Sequence, residues 1–314
     1  MIRLICNLSE LGAGTRGASL GYDAMLIASY KFNPKFFRKL KPEFIDHENH
    51  KLFEDVKTPV AKRLDGIYKV YMRMEAKMKE VMMDNDFPVV ISGDHSNAGG
   101  TIAGIKSAFP NSRLGVIWID AHADMHSPYT SPSGNVHGMP LSTALYEDNL
   151  DCKIVNVPAE TSKLWDALKG EEQRLAYEDL IFMGVRDYEK PEEYLLIRHK
   201  VPNVTVKDYR NYGHDECIKR VMQRMEGCDK IYVSFDVDSM DPSISRGTGT
   251  PVPGGFKAEE VENIILSLIE DPRLCCFEIT EVNPVLDNKG NAMAETAFQI
   301  LNSVYTKLKA KFAK

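Results

Sequence analysis

Residues 114–124 read LGVIWIDAHAD, an apolar run that ends in a cluster of acids and a histidine. The stretch Leu114–Asp120 is rich in β-forming residues and carries no polar side chain before Asp120, so both faces of the predicted strand are buried. Strands of this kind belong to parallel sheets that helices cover on both sides. The stretch therefore predicts an α/β fold with polar groups at the carboxyl end of a central strand.

Similar apolar runs recur along the chain and alternate with helical patterns. The predicted strands are Arg3–Asn7, Pro88–Ser92, Leu114–Asp120, Leu180–Val185, Asn203–Val206, Lys230–Asp238 and Leu274–Thr280. The predicted helices are Ala61–Met83, Ala98–Phe109, Leu141–Tyr146, Asp215–Met225, Ala258–Glu270 and Asn291–Phe312. This alternation predicts a single α/β domain over residues 1–314 with a mostly parallel central sheet.

Composition and charge limit the class of function. Of the 314 residues, 43% are hydrophobic and 27% are charged, as in a soluble protein with a sizeable core. The net charge of −6 does not favour nucleic acid, which binds clustered positive charge. No apolar run approaches the length that spans a membrane, and the apolar start is too short for a signal peptide. The six cysteines form no C-x-x-C pair, so we expect reduced thiols in a cytoplasmic protein.

Polar clusters follow four of the predicted strands. Ser92-Gly93-Asp94-His95 ends one strand, Asp120-Ala121-His122 a second, Asp236-Val237-Asp238 a third and Glu281-Val282-Asn283-Pro284 a fourth. In a parallel sheet of this class, ligands bind beyond the carboxyl ends of the strands. Four ends that carry acids, amides and histidines therefore predict one shared site.

The acids and histidines at three of these ends form a set of candidate metal ligands. They are Asp120, His122 and Asp124, then Asp236 and Asp238, together with His95. Within each acidic segment the residues alternate, and in extended backbone alternate residues point the same way. Four carboxylates and two imidazoles suit Mn²⁺ or a similar divalent ion. Six ligands are more than one small ion needs, so the set predicts two ions. The alternative is that the acids are helix caps and the histidines are solvated, and this would have to be true at all three strand ends.

Three segments, in this order, resemble the ureohydrolase family of arginase, agmatinase and formimidoylglutamase. They are Gly-Asp-His-Ser at 93–96, Asp-Ala-His-Ala-Asp at 120–124 and Ser-Phe-Asp-Val-Asp-Ser-Met-Asp-Pro at 234–242. Residues 120–140 look most like arginase, because Ser133-Gly134-Asn135-Val136-His137-Gly138 matches the substrate loop of that subfamily. The resemblance implies a three-layer α/β/α fold and a homo-oligomer, a trimer or a hexamer.

The family pattern also implies a role for each ligand. Two aspartates would bridge a pair of manganese ions, and each ion would gain one histidine and one further aspartate; cobalt is another metal that the set would accept. The bridges would be Asp120 and Asp236, with His95 and Asp124 completing one ion and His122 and Asp238 the other.

The chemistry implied is the hydrolysis of L-arginine to L-ornithine and urea by a metal-bridging hydroxide. A guanidinium stays protonated at physiological pH, and two ions lower the pKa of a shared water from about 16 towards 7. Asp124 would pass a proton to the leaving amine, and His137 would shuttle protons. Glu281 would orient the guanidinium through charge-assisted hydrogen bonds.

The substrate tail is where the sequence departs from the arginase pattern. His126 stands in place of an Asn and Glu189 in place of an Asp, with Glu192 as the nearby acid. The other positions that match the family's substrate-binding residues are Ser131, Ser133, Asn135 and Thr250. The two changes leave open a different guanidino or formimino substrate, such as agmatine, guanidinobutyrate or formimidoylglutamate.

Four further interpretations concern a glycine-rich segment, two rival protein classes and a basic segment. Residues 12–17, GAGTRG, fit G-x-G-x-x-G, but no acidic residue follows at the distance a dinucleotide site needs, which favours a tight turn near the active-site rim. A metal-dependent deacetylase shares an arginase-like fold but needs one ion. A catalytically silent, metal-binding regulatory subunit would not need His137 and Glu281. The basic segment 31–41 is interpreted as a solvated helix with an apolar face.

Overall fold

Eight strands form in the computed structural model, which describes residues 1–313. They are β1 (Ile2–Asn7), β2 (Pro42–Phe44), β3 (Phe87–Ser92), β4 (Leu114–Ile119), β5 (Leu180–Met183), β6 (Asn203–Val204), β7 (Lys230–Asp236) and β8 (Leu274–Thr280). The strands form one sheet in the order β2-β1-β3-β8-β7-β4-β5-β6, and every pairing is parallel.

Eleven α-helices connect the strands within residues 1–313. They are α1 (Gly21–Phe32), α2 (Phe36–Lys39), α3 (Leu64–Met83), α4 (Ala98–Ala108), α5 (Pro140–Leu145), α6 (Ala159–Lys169), α7 (Lys190–His199), α8 (Val206–Tyr212), α9 (His214–Arg224), α10 (Ala258–Leu268) and α11 (Ala292–Phe312). None of these described helices has both the length and the apolar composition needed to cross a membrane.

Alternate residues of the central strands pack into different hydrophobic cores. Ile117 and Ile119 of β4 belong to the core that α1 and α8–α11 cover, whereas Val116 and Trp118 belong to the core beneath α3–α5 and α7. All six residues of β4 are buried, which explains why the sequence there is continuously apolar. The predicted three-layer α/β/α fold is confirmed.

Several predicted boundaries are wrong for local reasons. The predicted strand Asn203–Val206 ends at Val204, because the Thr205 hydroxyl accepts the Asp208 N–H at 3.0 Å and caps α8. The predicted strand Lys230–Asp238 ends at Asp236, since Val237–Ser239 turns into a 3₁₀ helix. The edge strand β2 was not predicted, because its three residues, Pro-Glu-Phe, form no apolar run.

Four helices, α1, α6, α7 and α8, carry no prediction, whereas α2 lies in the segment 31–41 that was predicted to be helical. The reason is clearest for α7, which buries only Glu192 and Leu195 and so shows little apolar periodicity. Its start is instead defined by a capping box between Glu189 and Glu192. In the basic segment 31–41, Phe36 and Phe37 are buried whereas Lys31, Lys35 and Lys39 are exposed, in agreement with the predicted apolar face.

The strand order places four polar clusters side by side. β3, β8, β7 and β4 are consecutive in the sheet although they are far apart in the chain. Because all strands are parallel, their carboxyl ends lie at the same edge, where the clusters after residues 92, 280, 236 and 119 meet.

Gly93 allows the loops after β1 and β8 to meet beside β3. A Cβ at this position would lie 2.3 Å from the Ser9 carbonyl oxygen, so only glycine fits there. The Gly93 carbonyl in turn accepts the N–H of Glu281 at 2.9 Å. The glycine of the Gly-Asp-His-Ser segment therefore fixes where Glu281 lies relative to His95.

Candidate metal centre

The first of two ligand groups is built around His95. Its Nδ1 atom lies 2.9 Å from Asp120 Oδ2, 3.1 Å from Asp124 Oδ2 and 3.2 Å from Asp236 Oδ2. His95 Nδ1 and Asp120 Oδ2 are buried, and neither has a hydrogen-bond partner. Lone pairs that converge without a donor between them are the arrangement a cation requires.

The second group is built around His122. Its Nδ1 atom lies 3.0 Å from Asp238 Oδ2 and 3.5 Å from Asp120 Oδ1. Asp120 thus offers one carboxylate oxygen to each group, the arrangement of a bridging ligand. Asp236 Oδ2 faces the His95 group, while its Oδ1 accepts the Asp238 N–H at 2.7 Å. Asp120 Oδ1 likewise accepts a backbone N–H, that of His122, at 2.7 Å.

The loop after β4 aims its ligands differently from the prediction. The prediction of an extended backbone with alternating side chains from Asp120 to Asp124 is wrong, since β4 ends at Ile119 and Asp124 has a left-handed backbone with φ 50°. The Asp124 carbonyl accepts the Leu141 N–H at 3.2 Å, so the loop folds back over the site. Asp238 lies in the 3₁₀ turn after β7, while Val237 is buried in the core as predicted.

Groups behind His95 hold its ring in place. The His95 Nε2 atom lies 2.8 Å from Ser234 Oγ, and the ring stacks on Trp118 at a centroid distance of 4.0 Å. A hydrogen bond at Nε2 leaves the Nδ1 lone pair directed at the ligand group. Ser234 has no predicted role, although it lies two residues before Asp236 on the same strand face.

The electrostatics of the cluster favour a bound cation. Burial raises the pKa of Asp236, and the charges of Asp238 and Asp120 raise it further, well above its usual value. Burial and repulsion from Asp120 raise the pKa of Asp124 to about 6. Burial lowers the pKa of His95, but the carboxylates beside it outweigh this and raise it well above 6.5. A divalent cation among these carboxylates would offset their repulsion and the cost of burying them.

Glu281 and His137 lie beside the His95 group. Glu281 is buried with a left-handed backbone, φ 64°, and its Oε1 accepts the His95 N–H at 3.0 Å. Its Oε2 is buried and has no hydrogen-bond partner. His137 Nδ1 lies 3.4 Å from Glu281 Oε1. Burial lowers the pKa of His137, but the Glu281 carboxylate outweighs this and raises it to about 9.

The predicted tail residues lie at the outer end of the same pocket. His126 Nε2 forms an ion pair with Glu189 and lies 3.4 Å from Glu192 Oε2, while its Nδ1 lies 3.1 Å from Thr130 Oγ1. Glu192 also accepts the N–H of Met125 at 3.0 Å and is buried, so it supports the loop and the start of α7.

One pocket brings the predicted residues together. It has a volume of about 290 Å³, enough for a small molecule, and is lined by His95, His122, Asp124, His126, Ser131, Ser133, Asn135, His137, Glu189, Glu192, Asp236, Asp238 and Thr250, among others. Asp120 and Glu281 are buried next to the residues that line it. The Thr250 hydroxyl donates to Asp238 Oδ2 at 3.2 Å, which places this residue against the ligand cluster.

The glycine-rich segment 12–17 forms part of the rim. The Gly12 N–H donates to Asp94 Oδ2 at 2.8 Å, and the Gly12 carbonyl accepts the His137 N–H at 3.2 Å. The interpretation as a turn near the active site is confirmed. The presence of two ligand groups that share Asp120 also argues against a deacetylase, which needs one ion.

Comparison with known proteins agrees with this geometry. A family model described as "Arginase family" matches residues 5–306. The chain is 32% identical to the arginase of Brevibacillus brevis over 311 residues, covering 94% of each chain. It is similar in structure to Entamoeba histolytica arginase in complex with L-ornithine, with a TM-score of 0.82, 25% identity and coverage of 97% and 98%. Arginase from Bacillus caldovelox superimposes with a TM-score of 0.82 at 28% identity, covering 97% of each chain.

Proposed function

This chain belongs to the arginase family and is a metal-dependent ureohydrolase, and we propose that it hydrolyses L-arginine to L-ornithine and urea at a pair of manganese ions. The observation that carries the proposal is the buried, unpartnered Oε2 of Glu281 beside the two ligand groups. When bound, two divalent ions supply a hydroxide at neutral pH by lowering the pKa of a shared water.

Glu281 would hold the guanidinium of the substrate. Its Oε1 is fixed by the His95 N–H at 3.0 Å, so the carboxylate cannot rotate freely. Its Oε2 is left as an acceptor in a buried position, where a charge-assisted hydrogen bond from a cation is strong. A planar cation that presents N–H groups satisfies this oxygen, whereas a neutral ester or an anion does not.

Two residues would transfer protons during the reaction. Hydrolysis adds water across the bond between the guanidinium carbon and the chain nitrogen: a C–O bond forms, the C–N bond breaks and the amine leaves with a proton. Asp124, whose carboxylate lies in the ligand group 3.1 Å from His95 Nδ1, can take a proton from the attacking water and release it to the amine. His137 has a pKa of about 9, set by burial and, more strongly, by Glu281, and reaches the pocket wall, so it can relay a proton to solvent.

The identity of the metal is proposed from the donor atoms. The six side chains offer carboxylate oxygens and imidazole nitrogens and no thiolate, a set that suits Mn²⁺ and that Co²⁺ would also satisfy. Protein stripped with a chelator and reloaded with Mn²⁺, Co²⁺ or Zn²⁺ should regain the highest turnover with Mn²⁺ at two ions per chain. A plateau at one ion per chain would contradict the binuclear centre.

Urea release tests the substrate. Manganese-loaded protein is assayed with L-arginine, agmatine, 4-guanidinobutyrate and guanidinopropionate, each with a chelator control. We expect the highest kcat/KM with L-arginine. If L-arginine gives no urea while an analogue lacking its amino or carboxylate group does, the arginase assignment fails and the family assignment stands.

A second substrate is favoured by one observation, the His126–Glu189 ion pair. This pair occupies the tail end of the pocket, where the family pattern has the shorter Asn and Asp. A guanidino acid without an amino group would leave the pair intact, so 4-guanidinobutyrate is the alternative that the same assay distinguishes.

We also propose a cytoplasmic homo-oligomer of three or six chains. The family resemblance supports the assembly. All six cysteines lie within the described residues 1–313 and are free thiols, which supports a reducing compartment. Light scattering of the purified protein gives the assembly mass, and a monomer would contradict the first part of this proposal.

A further inference from the structure

The pocket wall formed by residues 131–135 is backed by a lysine from a distant segment. Lys62 donates from Nζ to Asn135 Oδ1 at 3.0 Å, and its backbone N–H donates to the Gly134 carbonyl at 2.8 Å. The two segments pack tightly, since a Cβ on Gly134 would lie 2.0 Å from the Pro59 carbonyl oxygen. Lys62 is therefore held against the substrate side of the molecule by main-chain contacts as well as by its side chain.

The serines of this wall present donors to the pocket. Ser131 Oγ accepts the Gly134 N–H at 2.9 Å, and Ser133 Oγ accepts the Asn135 N–H at 3.2 Å. The two hydroxyl oxygens also lie 3.5 Å apart, so one hydroxyl can donate to the other while the second keeps its hydrogen for a ligand. Both serines line the pocket, so this part of the wall favours a ligand with acceptor atoms.

The contact with Lys62 also makes the Asn135 amide a hydrogen-bond donor towards a ligand. With Oδ1 engaged by the ammonium group, the Nδ2 hydrogens are the part of the amide that remains for a ligand. Nδ2 points towards Gly14, where an added Cβ would lie only 2.7 Å away. The amide therefore cannot turn its oxygen to the pocket without losing the lysine contact.

The charge of Lys62 is not neutralised by a nearby acid. Among residues 1–313, Asn135 is the one side chain to which Lys62 is hydrogen-bonded, and no carboxylate oxygen lies within 4.0 Å of its Nζ. Arg16 and Arg63 lie near each other. Burial lowers the pKa of Arg63, and the positive charge of Arg16 lowers it further. Asp187 and Glu189 are acids that also line the pocket.

We propose that Lys62 is a specificity-determining residue that makes this enzyme select guanidino substrates with a carboxylate on the tail. It acts in two ways, by orienting the Asn135 amide as a donor and by adding a positive charge behind the donor wall. The inference rests on the proposed function, because it concerns the tail of the same substrate. Lys62 lies 73 positions before Asn135, outside the segments 93–96, 120–140 and 234–242 that carry the family resemblance.

The test compares substrates that differ in the carboxylate. Lys62→Met is assayed with L-arginine, with agmatine, which lacks the carboxylate, and with 4-guanidinobutyrate, which keeps the carboxylate and lacks the amino group. Loss of a charge a few ångströms from a carboxylate at a half-exposed site should lower kcat/KM for both carboxylates about tenfold. The loss should lie in KM, with kcat retained, and agmatine should change less than about twofold.

Controls separate a substrate effect from a folding effect. Lys57→Met removes the same charge from an exposed position on the same segment and should leave all three substrates unchanged. Lys62→Arg keeps the charge and should retain most of the preference. If agmatine turnover is too slow to measure, competitive inhibition by L-ornithine and by putrescine gives the same comparison, with a tenfold weaker inhibition constant expected for L-ornithine alone.

The outcomes distinguish this inference from the proposed function. Equal losses for arginine and agmatine, or no loss for either, would overturn the role of Lys62 and leave the arginase activity standing. Wild-type turnover of 4-guanidinobutyrate but not of arginine would end the arginine proposal, and the Lys62 effect would then be measured on 4-guanidinobutyrate. A wild-type enzyme that prefers agmatine to both carboxylates would overturn the inference outright.

Discussion

Replacement of Glu281 by Gln tests the chemical core of the proposed mechanism. The two side chains have the same shape, so the variant keeps the left-handed backbone at φ 64° and the acceptor for the His95 N–H. What changes is the atom at the Oε2 position. An unpartnered, buried carboxylate oxygen becomes an NH₂ group that points its hydrogens at the hydrogens of the guanidinium.

The size of the effect follows from these contacts. A hydrogen bond to a charged group contributes about 1.5 to 3 kcal/mol, and its replacement by two opposed donors adds a repulsive contact. A loss of about 3 kcal/mol at the transition state corresponds to a rate reduction of about a hundredfold. Loss of the carboxylate also removes the group that holds the pKa of His137 at about 9, so burial would then lower that pKa.

The assay measures kcat and KM for urea release together with metal content per chain. We expect Glu281→Gln to retain two metal ions, because the carboxylate is not among the six candidate ligands, and to lose about a hundredfold in kcat/KM. Glu259→Gln, an exposed position in the first turn of α10, is the matched control and should behave like wild type. Near-normal turnover of Glu281→Gln with full metal content would refute the reasoning.

Two further variants test the support of the site and of the fold. Ser234→Ala removes the hydrogen bond at His95 Nε2 and should weaken metal binding by about 10- to 100-fold, measured as metal retained at increasing chelator concentrations; unchanged retention would show that Ser234 does not orient the ring. Burial raises the pKa of Glu48, but its contacts with Arg73 and Lys69 outweigh this and lower it. Glu48 therefore stabilises the fold above its unfolded-state pKa, and this contribution is lost as the pH falls through the lower folded-state pKa. Glu48→Gln should cost about 1 kcal/mol of unfolding free energy at pH 7, with the difference disappearing near pH 3 in denaturant titrations; a constant difference across pH would contradict the ion-pair explanation.

The candidate ligands and their position at strand ends could be proposed from the sequence. Donor chemistry belongs to the side chains themselves, so four carboxylates and two imidazoles indicate a hard divalent metal wherever they lie. A strand such as β4, apolar on both faces, can only belong to a covered parallel sheet, and that places Asp120 at a ligand-binding edge. The fold class and the family follow from these local patterns.

Local backbone geometry was predicted less well. Asp124 was expected to follow strand alternation, yet it adopts a left-handed conformation because the loop folds back to bond with Leu141. Helices such as α7, with few buried apolar residues, leave almost no periodic signal. In both cases the conformation depends on contacts with residues that are not adjacent in the chain.

The sequence by itself determined what the site is made of, whereas the tertiary structure decided which atoms face each other. The order β3-β8-β7-β4 brings Glu281 to the backbone of His95, 186 positions away. The same long-range packing sets Lys62 behind Asn135, where no motif would place it. Periodicity and spacing describe neighbours within a few turns or strands, but the charge and polarity of a pocket wall come from segments that only folding brings together.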